Sequence, residues 1–311
     1  MSGVTSNTRV LDGRRISQEI QQELRPRIDV LRARYRAPAL AVVLVGDDPA
    51  SQIYVRNKVK ACHELGIHSL DAMPPASIEN DALLAIIQSF NNNLEVDGIL
   101  VQSPLPKQIH SEAIVQAVDP SKDADGFHPC NVGLLVANRR GPRACTPAGI
   151  IEMLKRYDIP IAGKRAVVVG RSDIVGKPMA LMLMHENATV TICHSRTQNL
   201  ADECRQADLL VVAMGKPAAI TAEYLKPGAV VIDVGMNRIT NEAEVKRLFS
   251  HEPSRLAAFA KSGSALVGDV EPLAMQSVAS AYTPVPGGVG PLTIAMLMAN
   301  TVALAEQHLG C

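Results

Sequence analysis

Short apolar runs alternate with longer amphipathic segments along most of the 311-residue chain. This alternation is typical of α/β folds, in which buried parallel strands are joined by helices. The helix pattern of residues 16–31 contains Pro26, which we expect to kink or split it. The clearest predicted strands are residues 39–45, 98–102, 166–169, 189–193, 209–214 and 230–234.

The length is about twice that of a domain of roughly 150 residues and predicts two domains. Residues 119–147 are rich in Gly, Pro and Asn and form the natural boundary. We expect a first domain of residues 9–148 plus 289–311 and a second of residues 149–288. The last helix, residues 291–308, is apolar on most sides and should be buried against the first domain. Residues 241–261 look like a polar helical addition at the surface.

Composition argues against several classes of partner. Lys plus Arg and Asp plus Glu both total 31, so the chain lacks the positive charge that nucleic-acid binding needs. The apolar stretch 292–305 is interrupted by polar residues and is shorter than the roughly 20 residues of a membrane span. The first eight residues lack the apolar core of a secretory signal, which predicts a cytoplasmic protein. Six scattered cysteines without a CxxC pair predict neither a metal site nor a disulfide framework.

A nucleotide site is predicted in the second half. Three valines at 167–169 lead into a glycine-containing turn and then an apolar helix, the order found in dinucleotide-binding units. The spacing is not the common G-x-G-x-x-G, and the turn by itself is a weak signal. The turn residues that we single out are Gly170, Arg171, Ser172, Ile174, Gly176 and Pro178.

The next strand supports this interpretation and suggests which nucleotide binds. It ends near Ser195 and Arg196, where an NAD-binding protein would be expected to carry an acid for the ribose hydroxyl. A hydroxyl and a guanidinium, together with Arg171, suit a 2′-phosphate instead. Each arginine alone is more often a solvated surface charge, but together they favour NADP over NAD.

The first half contains a second candidate site. Asp48 and Pro49 predict a helix start, and Ser51, Tyr54 and Lys58 then fall on one helix face. Taken singly, Lys58 reads as a surface lysine and Tyr54 as a packing residue. Their shared face, opposite the end of the predicted strand 98–102, raises them above that interpretation. Acids at 123 and 125 lie in a loop where they could simply form turns.

At these residues the chain resembles the bifunctional methylenetetrahydrofolate dehydrogenase/methenyltetrahydrofolate cyclohydrolase family. The motifs occur in family order and span nearly the whole chain. They are residues 51–58, 98–106, 122–127, 145–149, 170–178, 233–237, 268–270 and 284–293. Departures are few: Ser103 stands where a large apolar residue is usual, and Leu134 replaces a common arginine.

The resemblance implies two domains with a cleft between them, the second a Rossmann-type doubly wound, mainly parallel sheet. It also implies a two-step reaction in which methylenetetrahydrofolate is oxidised with NADP⁺ and the methenyl product is hydrolysed to 10-formyltetrahydrofolate. Homodimers are common in the family. The implied catalytic residues are Lys58, Tyr54, Gln102 and Asp125. The implied substrate contacts are Tyr54, Asp125, Pro286, Gly287 and Gly288. The turn residues above, Ser195, Arg196, Asp233, Gly235 and Thr293 would contact the cofactor.

Two alternatives remain beside the bifunctional enzyme. A dehydrogenase alone would be expected if Lys58 or Gln102 were missing or misplaced. A non-catalytic NADP-binding sensor would be expected to have a damaged folate face. All four residues of that face are present, which favours the bifunctional enzyme.

Overall fold

The computed structural model describes residues 8–310 and divides the chain into two compact units. One unit, expected to bind the nucleotide and called the nucleotide unit below, contains the described residues up to Ile16 together with Thr146–Leu292. The other unit, expected to bind folate and called the folate unit below, contains Ser17–Cys145 and the described residues from Thr293 onwards. The expected boundaries differ from this division at residues 9–16, 146–148 and 289–292, all of which group with the nucleotide unit. Residues 9–16 group there because strand β1, Arg9–Val10, pairs with strand β11, Ala281–Tyr282.

A three-stranded parallel sheet with helices around it forms the folate unit. The strands are β2 Ala39–Val43, β3 His68–Ala72 and β4 Gly98–Val101, in the order β3-β2-β4. The helices are α1 Gly13–Arg34, α2 Pro49–Leu65, α3 Asn80–Asn92, α4 Ser111–Ala117, α5 Pro129–Val136 and α12 Val289–Leu309. Ala41, Val43, Leu83, Ile87 and Ile99 lie in its main apolar core.

Two helices of the folate unit bear on the sequence predictions. α1 continues through Pro26 as one helix, so the predicted split does not occur. Among the described residues, α12 is the one helix long and apolar enough to cross a membrane, and about half of that stretch is buried in the protein. The core helix of a soluble protein meets the same criteria. Its buried residues include Leu297, Met298 and Val302, as expected for a core helix.

Six parallel strands form the main sheet of the nucleotide unit, in the order β1-β11-β8-β7-β5-β6. The remaining strands of this sheet are β5 Arg165–Val169, β6 Thr189–Cys193, β7 Leu209–Val212 and β8 Val230–Asp233. The helices are α6 Cys145–Arg156, α7 Gly176–His185, α8 Leu200–Cys204, α9 Glu242–Leu248, α10 Pro253–Ser262 and α11 Pro272–Val278. Strand β5 lies between β6 and β7, so the chain changes direction across the sheet there. Ligands of such sheets bind beyond the carboxyl ends of the strands at that point.

Residues 241–261, expected to be a polar addition at the surface, contribute side chains to a small apolar core. Helices α9 and α10 flank a small antiparallel pair, β9 Asn237–Ile239 and β10 Ala265–Val267. Val245, Leu248 and Phe249 are buried in an apolar cluster with residues of these two strands. The segment has its own core because these apolar residues are brought together on the inner side of a mostly polar sequence.

Candidate functional site

Helix α2 carries two of the predicted catalytic residues. The Asp48 carboxylate accepts a hydrogen bond from the Ser51 amide at 2.8 Å, and Gly66 ends the helix in a left-handed conformation. Lys58 is on the buried face and only 8% exposed. Tyr54 is 37% exposed, and its partial burial raises the pKa of its hydroxyl. The helix therefore combines a sheltered amine with a partly open aromatic ring.

Gln102 directly follows strand β4 and faces Lys58. Its Oε1 accepts a hydrogen bond from Lys58 Nζ at 3.0 Å. Its Nε2 donates to the Ser103 carbonyl oxygen at 2.6 Å. Because the amide nitrogen is occupied by that carbonyl, the amide oxygen is the end presented to the lysine. The structure thus brings together the predicted pair and orients it.

The loop after residue 121 contains two residues with structural roles. Lys122 Nζ donates to the carbonyl oxygens of Phe90, Asn91 and Asn93, at the end of α3. The Asp123 carboxylate accepts hydrogen bonds from the amides of residues 126, 127 and 128 and from the side chain of Asn131. Asp123 is therefore a turn-forming acid, one of the interpretations open for it.

Asp125 differs from its neighbour. The structure shows no hydrogen bond or ion pair to its carboxylate from any residue between 8 and 310. Burial raises the pKa of Asp125 to about 6, while Lys58 opposes and Asp123 adds to that rise. The influence of the Lys58 charge shows that both residues lie in one electrostatic environment. Asp125 is thus an acceptor available to a ligand with N–H donors.

The backbone beside Asp125 is held by a residue that the sequence analysis missed. Asn300 Nδ2 donates to the Ala124 carbonyl oxygen at 2.8 Å and to the Arg143 carbonyl oxygen at 2.9 Å. Cys145 Sγ also approaches the Ala124 oxygen at 3.6 Å, and burial raises the pKa of that thiol well above its ordinary value. The signal in the sequence that could have identified Asn300 is its amide side chain within an otherwise apolar helix.

The predicted nucleotide turn follows β5, at the change of direction in the large sheet. Gly170 has φ +129°, and a Cβ on it would lie 2.2 Å from the Ala213 carbonyl oxygen. A Cβ on Gly176 would lie 2.2 Å from the Gly170 carbonyl oxygen. Ser172 Oγ accepts from the amides of Val175 and Gly176 at the start of α7. The turn has no room for side chains at its glycines, as a close approach of backbone to a ligand requires.

The predicted phosphate-binding side chains are exposed beside this turn. Arg171, Ser172, Ile174, Ser195 and Arg196 are exposed, whereas Pro178 is buried in the first turn of α7. Within the described chain, neither Arg171 nor Arg196 forms an ion pair. The Arg196 amide donates to His194 Nδ1 at 3.1 Å, which shapes the turn after β6. Two guanidinium groups without acidic partners are suited to an anionic ligand.

Asp233 and Gly235 are buried and do not lie on an open binding surface. The buried Asp233 carboxylate accepts hydrogen bonds from the amides of Gly235, Asp269 and Val270, each at 2.9 Å. Burial raises the pKa of Asp233 to about 7, and these N–H donors oppose the rise. A Cβ on Gly235 would lie 2.4 Å from the Asp269 side chain. The Asp233 carboxylate is engaged by backbone, so its visible role is to shape the ends of the strands.

A loop leading from β11 into α12 carries the predicted substrate contacts of the nucleotide unit. Gly287 has φ +109° and its carbonyl oxygen accepts from the Gly13 amide at 3.0 Å. A Cβ on Gly288 would lie 2.6 Å from Thr283. Thr293, a predicted cofactor contact, belongs to the folate unit and is half-buried. The glycines are required by close backbone packing.

Comparison with known proteins assigns the family. A model for the tetrahydrofolate dehydrogenase/cyclohydrolase catalytic domain matches residues 11–125, and one for its NAD(P)-binding domain matches residues 144–309. The chain belongs to the tetrahydrofolate dehydrogenase/cyclohydrolase family. The bifunctional protein FolD of Solibacter usitatus is 61% identical over 302 residues, covering 97% of this chain and 99% of that protein.

Solved structures agree with the family assignment. The bifunctional FolD enzyme from Campylobacter jejuni has a TM-score of 0.87 and 43% identity, covering 96% of this chain and 99% of that one. The Trypanosoma brucei enzyme, complexed with NADP cofactor and an inhibitor, has a TM-score of 0.88 and 37% identity. It covers 98% of this chain and 99% of its own.

Membership in the tetrahydrofolate dehydrogenase/cyclohydrolase family confirms several predictions. The two-domain α/β fold with a mainly parallel sheet, the enzyme class and an NAD(P)-binding domain are confirmed, and the Trypanosoma brucei relative binds NADP. The residues present fit this cofactor, because the glycine turn admits backbone approach and the two guanidinium groups are exposed. In the described part of the chain, no group of three or more His, Cys, Asp or Glu side chains could hold a metal ion.

Proposed function

We propose that this chain oxidises 5,10-methylenetetrahydrofolate with NADP⁺ and hydrolyses the methenyl product to 10-formyltetrahydrofolate, with Lys58 as the principal catalytic group. The observation that carries the proposal is the 3.0 Å hydrogen bond from Lys58 Nζ to Gln102 Oε1, in the electrostatic environment of Asp125. A sheltered amine with a defined hydrogen-bond partner is suited to moving a proton at one position of a substrate.

The folate is bound by two side chains of the folate unit. Asp125 accepts hydrogen bonds from N–H donors of the pterin, and the partly exposed ring of Tyr54 stacks on the folate ring system. Pro286, Gly287 and Gly288 contribute backbone contacts. NADP⁺, when bound, accepts the hydride that leaves the methylene carbon between N5 and N10.

Loss of the hydride leaves a cationic methenyl carbon, which water attacks in the second step. Lys58 Nζ in its unprotonated form removes a proton from that water as the new C–O bond forms. The hydroxyl on this carbon then loses its proton as the bond from the carbon to N5 breaks and N5 takes up a proton, so the carbon remains on N10 as a formyl group. Gln102 holds the lysine in position for this transfer.

Cofactor selection is assigned to the nucleotide unit. Arg171, Ser195 and Arg196 bind the 2′-phosphate, while Gly170, Ser172, Ile174, Gly176 and Pro178 form the turn that receives the pyrophosphate. Gly235 and Asp233 shape the neighbouring backbone, and Thr293 contacts the nicotinamide side. The domain boundaries that we propose are those predicted from the sequence, except that residues 9–16, 146–148 and 289–292 are assigned to the nucleotide unit.

The assembly proposed for the enzyme is a cytoplasmic homodimer that binds neither nucleic acid nor membranes. Strand β6 lies at the edge of the large sheet, and Ile192 on it is 43% exposed. An exposed strand edge with apolar side chains is suited to pairing with a second copy.

One mixing experiment tests the catalytic proposal. Protein, methylenetetrahydrofolate and NADP⁺ are combined, and the absorbances of NADPH and of the methenyl intermediate are followed. NADPH formation with only transient methenyl absorbance is expected. Persistent methenyl absorbance at the spontaneous rate of decay would indicate a dehydrogenase alone, and no NADPH would indicate a non-catalytic NADP-binding protein.

A further inference from the structure

Arg255 links the segment 242–262 to the loop that precedes α12. It lies on α10, with its guanidinium 4.3 Å from the centre of the Phe249 ring. One guanidinium nitrogen donates to the Leu266 carbonyl oxygen, and Nη1 donates to the Val285 carbonyl oxygen at 2.9 Å. One side chain therefore joins an aromatic residue of the segment, a strand and the loop.

The rest of the loop is held by its backbone. The Gly288 amide donates to the Pro284 carbonyl oxygen at 2.8 Å, and the Gly287 carbonyl oxygen accepts from Gly13, so the later part of the loop is held by backbone. Beside Val285 lies a cavity of about 240 Å³, lined among others by Arg255, Val285 and Pro286. This space leaves room for displacement, and the Arg255 hydrogen bond restrains the loop where it borders the cavity.

We propose that Arg255 is a positioning residue for the folate substrate. By holding the Val285 carbonyl, it sets the position of Pro286, Gly287 and Gly288, so the segment 242–262 influences how tightly the folate binds. The inference rests on the proposed function of this loop. Displacing binding groups by about 1 Å lowers the efficiency of enzymes substantially even when the altered residue is remote from the reaction.

The test compares two variants of Arg255 with a matched control. Arg255→Met removes both carbonyl hydrogen bonds, and Arg255→Lys retains the charge and the reach to one carbonyl. Arg247→Met on α9 is the control, because Arg247 pairs at 2.8 Å with Glu271 and has no hydrogen bond to the loop. The measurements are KM for methylenetetrahydrofolate, KM for NADP⁺, kcat and amide hydrogen exchange of residues 284–290.

We expect Arg255→Met to raise KM for the folate by about tenfold and to speed exchange in the loop, with KM for NADP⁺ changed by less than about twofold. Arg255→Lys should lie between it and the wild type, and Arg247→Met should match the wild type. Wild-type KM and exchange in Arg255→Met would overturn the inference, as would equal increases in both KM values. If Arg255→Met does not fold, Arg255→Lys decides by the same criteria.

The proposed function can fail separately from this inference. A wild-type protein that does not oxidise the folate would refute the proposed function. Loop exchange in the Arg255 variants would still decide whether this side chain holds the loop, since that measurement needs no turnover.

Discussion

Replacing Lys58 with methionine should separate the two reactions. Methionine keeps the apolar stem and removes the amine that donates to Gln102 at 3.0 Å. A general base contributes about 10²- to 10⁴-fold to a rate, which is about 3 to 5 kcal/mol of barrier. We therefore expect hydrolysis of the methenyl compound to fall by at least about a hundredfold. Hydride loss is driven by the substrate's nitrogen lone pairs, so part of the dehydrogenase activity should persist and methenyltetrahydrofolate should accumulate.

Folding should be little affected by this substitution. Gln102 is half-buried, so water can replace the lost donor to its amide oxygen. The control is Lys60→Met, two positions along α2, where the lysine side chain is 71% exposed and lies 3.7 Å from Glu64. Stopped-flow absorbance of NADPH and of the methenyl compound measures both steps. Hydrolysis by Lys58→Met at a near wild-type rate above the spontaneous background would refute the assignment.

Three further outcomes are expected. Removing Arg171 or Arg196 should weaken NADP⁺ binding by roughly ten- to a hundredfold and leave NAD⁺ nearly unchanged, measured by calorimetry with Arg205→Ala as control; equal use of both nucleotides by the wild type would contradict it. Since burial raises the pKa of Asp125 to about 6, its carboxylate is ionised above that pH, and KM for the folate should rise as pH falls through it. Asp125→Asn should weaken folate binding far more than NADP⁺ binding and flatten this pH profile, whereas equal losses for both ligands would indicate a structural acid. Asp97 is fully buried, and its carboxylate accepts hydrogen bonds from the two terminal guanidinium nitrogens of Arg36. Asp97→Ala should therefore lower the free energy of unfolding by about 3 to 5 kcal/mol in denaturant titrations. A loss below about 1 kcal/mol, similar to that of an exposed-site variant such as Asp202→Ala, would contradict the role of this pair.

The sequence predicted the strands that are buried runs of apolar residues. The predictions for 39–45 and 230–234 overran β2 by two residues and β8 by one. The prediction for 189–193 agrees with β6, although most of that edge strand is not buried. Strand β3, His68–Ala72, was not predicted, because its sequence has no run of buried apolar residues. The short strands β1, β9, β10 and β11 were also missed, because two or three residues carry no periodicity and pair only through tertiary contacts.

The candidate site was predictable where helical spacing or chain order placed residues together. The Lys58 and Gln102 pair followed from a helix face opposite a strand end. Asn300 could not be placed, because its partners at residues 124 and 143 are more than 150 positions away in the chain. The backbone role of the Asp233 carboxylate likewise depends on amides at 269 and 270 that only the fold brings to it.

The loop 122–128 has a consequence for mutational scanning of this enzyme. Lys122 neutralises the carbonyl end of α3, and Asp123 closes the loop on itself, so substitutions at either position should lower the amount of intact protein in a cell. Substitutions at Asp125, two residues after Asp123, should leave the protein abundant and inactive. A growth screen alone would rank the three positions together. Measuring protein abundance beside growth would separate the side chain that meets the substrate from the two that build its surroundings.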